Sequence, residues 1–106
     1  MHIQQNNDSR VLAQLAAEGF DFDKSSIIEF TVEFERWPPQ NEAMRLLQQD
    51  YPDVQLYPPC DDDAGYVVVR IQQPLSYALV SDTQRQLTRL MAPYGGLCDA
   101  WGVVLS

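Results

Sequence analysis

The sequence has 106 residues, of which 45% are hydrophobic, and its formal net charge at pH 7 is −8. A chain of this length forms one domain with enough buried apolar surface to fold without disulfide bonds or structural metal ions. We therefore expect residues 1–106 to be a single domain. The acidic balance argues against direct nucleic-acid binding, because affinity for phosphates depends on clustered Lys and Arg.

The first third of the chain predicts a helix followed by a strand. Residues 1–7 are polar and are predicted to be flexible, after which Asp8 or Ser9 can cap a helix that ends at Gly19. Residues 26–36 alternate with period two, which is typical of a strand with one buried face. The predicted buried face is Ile28, Phe30, Val32 and Phe34, and the other face is Ile27, Glu29, Thr31, Glu33 and Glu35.

The rest of the chain predicts four further elements. They are a helix from the prolines after Trp37 to Gln49, strands over residues 54–57 and 66–72, and a helix from residues 74–76 to Ala92. A closing strand follows the glycines after Tyr94. After the first helix this order is βαββαβ, so we expect an α+β, ferredoxin-like sandwich with an additional N-terminal helix. Both helices of that architecture cover one face of the sheet and leave the other uncovered.

The closing strand suggests a functional surface. Strict alternation places Cys98, Ala100, Gly102 and Val104 on one side and Asp99, Trp101, Val103 and Leu105 on the other. We expect the small side to face the helices, with Gly102 permitting a close approach. The candidate protein-binding residues on the uncovered face are then Trp101, Asp99, Glu29, Glu33 and Tyr66. Trp101 also has a purely structural interpretation, in which it fills a gap beneath the first helix.

Two segments carry a resemblance to a known family. The run Leu15-Ala16-Ala17-Glu18-Gly19-Phe20-Asp21 and the strand Asp99-Ala100-Trp101-Gly102 resemble the regulator of ribonuclease E activity, type B, and the similarity extends over most of the chain in element order. The resemblance implies a bacterial cytoplasmic protein that binds and inhibits ribonuclease E without catalysing a reaction itself. Family members often carry a strongly acidic C-terminal tail, whereas this sequence stops at Ser106.

No pattern in the sequence indicates catalysis, a cofactor or a metal. His2 is the only histidine and lies in the polar terminus, so neither a catalytic triad nor a zinc site is expected. Cys60 and Cys98 have no metal-ligand spacing and are expected as free thiols. The contiguous Asp61-Asp62-Asp63 lacks the alternation of a calcium loop and is typical of an exposed turn. Glu29, Glu33 and Asp99 are most simply the solvated side of a sheet.

The sequence therefore predicts a non-catalytic regulator whose acidic sheet face binds a basic protein segment. The alternative is a small-molecule sensor of ferredoxin-like topology, and the same sheet face also permits a homodimer. We expect no membrane association, because no stretch approaches the roughly 20 apolar residues of a membrane span and no basic segment leads into an apolar run.

Overall fold

The computed structural model describes residues 8–104. The predictions for residues 1–7, including His2, and for Leu105 lie outside this range. Short loops connect three helices and four strands, with a 3-10 turn (Ala92–Tyr94) before the last strand. The elements are α1 (Asp8–Ala17), β1 (Ser25–Phe34), α2 (Asn41–Asp50), β2 (Asp53–Tyr57), β3 (Tyr66–Pro74), α3 (Tyr77–Met91) and β4 (Gly96–Val104).

The four strands form one antiparallel sheet in the order β2-β3-β1-β4. The central strands are therefore β1 and β3, and the edges are β2 and β4. Together with α2 and α3 this is the ferredoxin-like arrangement expected from the order of the elements, with α1 added at the N-terminal side. The α+β prediction is confirmed.

The core lies between the sheet and the helices. The predicted apolar face of β1 is buried, since Ile28, Phe30 and Val32 are fully inaccessible and Phe34 nearly so. The helices contribute Ala43 and Leu47 of α2 and Val80, Leu87 and Met91 of α3 to the same cluster. Each large side chain that leaves water in this way contributes about 1.5–3 kcal/mol.

Local sequence signals fix where the helices begin and end. Gly19 adopts a positive φ of 86° after α1, a backbone conformation that favours glycine. The hydroxyl of Ser76 accepts a hydrogen bond from the backbone N–H of Leu79 at 3.0 Å and so caps α3. At the other end of α3, a Cβ on Gly96 would lie 2.7 Å from the Cβ of Met91, so a larger residue does not fit at this position without a shift of its neighbours.

The closing strand departs from the strict alternation that its sequence suggests. Cys98 lies opposite Val32 and Ala100 lies opposite Thr31, so Asp99 is the additional residue of a β-bulge. A bulge shifts the alternation by one residue, and every side chain beyond it changes sides. The faces of the second half of β4 are therefore the reverse of those predicted.

Trp101 is the main consequence of this shift. It lies opposite Phe30 on the helix-covered side of the sheet and is only 4% exposed. The prediction that Trp101 lies on the uncovered face is wrong, and the alternative that it packs beneath the first helix is correct. Gly102 lies on the uncovered side instead, and a Cβ there would meet nothing within 4 Å, so the predicted close approach at Gly102 is also wrong.

A buried carboxylate holds Trp101 in place. Asp8 is completely inaccessible and accepts a hydrogen bond from Nε1 of Trp101 at 2.8 Å and another from Nε2 of Gln84 at 2.9 Å. The carboxylate lies in the first turn of α1, where the helix dipole favours negative charge. One side chain thus connects α1 with α3 and β4, while Val11, Leu12 and Leu15 add partly buried apolar contacts to the core.

We predict that Asp8→Ala lowers the free energy of unfolding by about 2–4 kcal/mol, because it removes the acceptor of two buried donors. Urea denaturation followed by tryptophan fluorescence measures the change. The matched control is Asp82→Ala, which removes an exposed carboxylate paired with Arg85 and should cost less than about 1 kcal/mol. Equal losses for the two variants would contradict the role assigned to Asp8.

Candidate protein-binding face

The helices in residues 8–104 pack on one side of the sheet, so the other side remains accessible. We call this side the open face, and the strand register defines its members. They are Asp53, Gln55 and Tyr57 of β2, Tyr66, Val68, Arg70 and Gln72 of β3, Ile27, Glu29, Thr31 and Glu33 of β1, and Leu97, Ala100, Gly102 and Val104 of β4.

An ion pair crosses the two central strands of the open face. Nε of Arg70 donates to Oε2 of Glu29 at 2.6 Å, and each side chain remains 33% exposed. The hydrogen bond to Glu29 and the charge of that carboxylate raise the pKa of Arg70, so its guanidinium stays charged. Part of the negative charge predicted for this face is therefore already balanced within the sheet.

By residue type, the open face defined above has three carboxylates and one basic side chain. Beside the Glu29–Arg70 pair, Glu33 and Asp53 add two more carboxylates, and Arg70 is the basic side chain of the face as defined above. Asp53 lies opposite Arg70 in the register of β2 and β3, whereas Glu33 lies next to Tyr66 at the other end. Such a surface attracts a positively charged partner and disfavours phosphates.

An aromatic pair lies at the Glu33 end of the open face. The rings of Tyr57 and Tyr66 are stacked with a centroid separation of 5.1 Å and an interplanar angle of 16°. Leu97, at 50% exposed, lies on the far side of Glu33 in the same row of the register. Aromatic rings beside an exposed aliphatic side chain are frequent anchors of protein interfaces.

The middle of the open face is shallow and uncharged. Val68 is only 8% exposed although it lies outside the main core cluster, and its neighbours across the strands are Thr31 and Gln55. On β4 the bulge brings Ala100 and Gly102 to this side. Uncharged side chains therefore separate the row of the Glu29–Arg70 pair from the row of the two tyrosines.

The structure places three of the five predicted site residues on the open face. Glu29, Glu33 and Tyr66 share the open face, as predicted. Trp101 lies on the opposite side, and Asp99 is half-buried in the bulge. The sequence interpretation missed Tyr57 and Asp53. Alternation along β2 puts the two on one face, but only the register with β3 places them beside Tyr66 and Arg70.

Within the described part of the chain, Glu29 and Glu33 do not form a paired carboxylate site. Glu29 and Glu33 are four residues apart on an extended strand, which separates their backbones by roughly 13 Å, too far for two carboxylates to share a proton. Within residues 8–104 no three His, Cys, Asp or Glu side chains converge as a metal site would require. Asp61–Asp63 lies in the turn between β2 and β3, where Cys60 and Asp63 form an isolated bridge.

Comparison with known proteins identifies a family. The model of the RraB family, described as regulator of ribonuclease activity B, matches residues 5–103 and thus nearly the whole chain. A comparison with curated proteins gives no match. Among the helices of residues 8–104, none has the length and apolar character needed to cross a membrane.

The two thiols are free and should differ in reactivity. Burial, with a smaller contribution from the negative charges of Asp99 and Asp8, raises the pKa of the Cys98 thiol to about 12, so almost none of this thiol is ionised at pH 8. We predict that iodoacetamide at pH 8 adds once to the folded protein, at the exposed Cys60, and twice in urea. Intact-mass spectrometry measures the adducts, and equally fast alkylation of both thiols in the folded protein would contradict the prediction.

Proposed function

Because the chain belongs to the RraB family of regulators of ribonuclease activity, we propose that it binds ribonuclease E through the open face and inhibits its RNA processing. In this proposal the chain catalyses no reaction and needs no cofactor. The proposed contacts are Glu29, Glu33 and Tyr66, together with Tyr57. Trp101 acts indirectly, by holding β4 against α1, and the contribution of Asp99 stays a prediction.

The observation that carries the proposal is the uncovered acidic and aromatic surface of the sheet. The stacked Tyr57 and Tyr66 supply a rigid apolar contact, and the neighbouring Glu33 supplies charge. A basic segment of a protein partner matches both properties, since Arg and Lys side chains pair with carboxylates and also pack on aromatic rings. The face lacks the clustered cations that would bind RNA directly, so a regulator of this kind acts on the enzyme and not on its substrate.

The same proposal includes a location and an oligomeric state. A regulator of ribonuclease E has to meet that enzyme, so we place the chain in the bacterial cytoplasm. Each chain carries a formal net charge of −8, which opposes the pairing of two copies through their acidic faces. We therefore favour a monomer that binds a basic partner over the homodimer.

We predict that the double variant Glu33→Lys with Tyr66→Ala weakens binding to ribonuclease E by about 100-fold, because it reverses a charge and removes an aromatic anchor. Titration of the chain into a cleavage reaction on a defined RNA gives the concentration for half inhibition, and calorimetry gives the Kd. Circular dichroism verifies that the variant remains folded.

The matched control is Glu18→Lys with Tyr77→Ala. Glu18 is exposed beyond the end of α1, and Tyr77 is 51% exposed at the start of α3, so this variant makes the same chemical changes away from the open face. It should inhibit as well as the wild type. Loss of inhibition in the control alone would place the contact on the helices and refute the proposal, as would full inhibition by the double variant of the open face.

A further inference from the structure

A cavity of about 780 Å³ lies at one end of the sheet, beside the connection between α2 and β2. Its wall on one side is the junction of the two elements, from Asp50 to Asp53. The backbone N–H of Tyr51 donates to the carbonyl of Leu47 at 2.8 Å and closes the last turn of α2, and Pro52 then separates that helix from β2. The opposite wall is formed by the ends of β1, β3 and β4.

Part of the apolar lining of the cavity comes from two cross-strand neighbours on the open face. Ile27 and Val104 lie opposite each other in the register of β1 and β4, and they are 42% and 45% exposed. Ile71 and Pro52 contribute further apolar surface to the lining. Two neighbouring aliphatic side chains that remain half accessible at the mouth of a cavity can bury more surface when an apolar group enters.

The charged part of the cavity favours a cation. Asp50 and Asp53 both line it, and the C-terminal end of α2, whose dipole is negative, has no basic residue in its last turn. Arg70 also lines the cavity, but its guanidinium is bound to Glu29. The lining therefore combines an aliphatic surface with a negative excess.

We propose that this cavity binds an aliphatic side chain flanked by Arg or Lys in a segment of a protein partner. The negative excess selects the basic flank, and Ile27 with Val104 selects the aliphatic side chain. The net charge of −8 makes a second copy of this chain a poor occupant. The identity of the partner rests on the function proposed above, whereas the chemistry of the cavity does not.

Three capped peptides test the chemistry: Arg-Leu-Arg-Leu-Arg, Arg-Gly-Arg-Gly-Arg and Glu-Leu-Glu-Leu-Glu. Each is titrated up to 10 mM into the ¹⁵N-labelled chain, and amide chemical shifts report the site and the Kd. We expect saturable shifts at Ile27, Gln72 and Val104 with the basic, leucine-containing peptide. The other two peptides should bind at least about tenfold more weakly, since each lacks one of the two required properties.

Each other outcome overturns the inference. If the glycine peptide bound as tightly as the basic, leucine-containing peptide, the aliphatic contact would contribute nothing. If the acidic peptide bound as tightly, the negative charge of the cavity would contribute nothing. Shifts confined to Tyr57 and Tyr66, or no binding at all, would remove the cavity as a site. Shifts at Ile27 and Val104 that grow with the concentration of the chain alone would assign the cavity to a second copy.

A pair of variants separates the cavity from the rest of the sheet. Ile27→Gln should weaken binding of the basic, leucine-containing peptide by about tenfold. Leu56→Gln is the matched control, because Leu56 is 44% exposed and lies on β2 outside the lining, and it should leave binding unchanged. The peptide titration contains no ribonuclease, so its result is independent of the cleavage assay described above. If the peptide binds but the chain does not inhibit ribonuclease E, only the proposed function is refuted. If the chain inhibits ribonuclease E but the peptide does not bind, only this inference is refuted.

Discussion

The buried carboxylate of Asp8 accepts hydrogen bonds from Trp101 and Gln84, and this contact joins α1, α3 and β4 on the covered side of the sheet. It satisfies the indole N–H at the place where α1 covers β4, so the largest side chain of the last strand is held on the helix side. The bulge at Asp99 makes that placement possible, because it turns Trp101 inward and leaves Ala100 and Gly102 outward. Without the bulge, regular alternation would place the indole on the face that we propose for the partner.

Periodicity predicted most of the fold because most of the strands are regular. The alternation of β1, the prolines before α2, the polar turn before β3 and Ser76 at the start of α3 are local signals, and local geometry determines each of those elements. The bulge in β4 is different, because it is determined by how β4 pairs with β1. The composition of β4 alone does not predict the extra residue. The buried contact between Asp8 and Trp101 could not be predicted from local sequence patterns either, because it joins residues 93 positions apart.

The candidate site was predictable to the extent that it lies on regular strands. Glu29, Glu33 and Tyr66 were placed correctly by alternation, whereas the partner of Glu29 in the ion pair and the stacked partner of Tyr66 follow from the register between strands. Those pairings change the character of the surface. One of its carboxylates, Glu29, is balanced by Arg70, and its aromatic contact is a stacked pair in place of the single tryptophan suggested by the sequence.

The proposed function requires that the open face, and not the helical side, contacts ribonuclease E. Cross-saturation NMR on the deuterated, ¹⁵N-labelled chain bound to unlabelled ribonuclease E reports directly which amides lie at the interface. Saturation transfer should be concentrated on β1, β2, β3 and the outward residues of β4, including Tyr57 and Tyr66. Transfer concentrated on the outer surfaces of α1, α2 and α3 would contradict the proposed function.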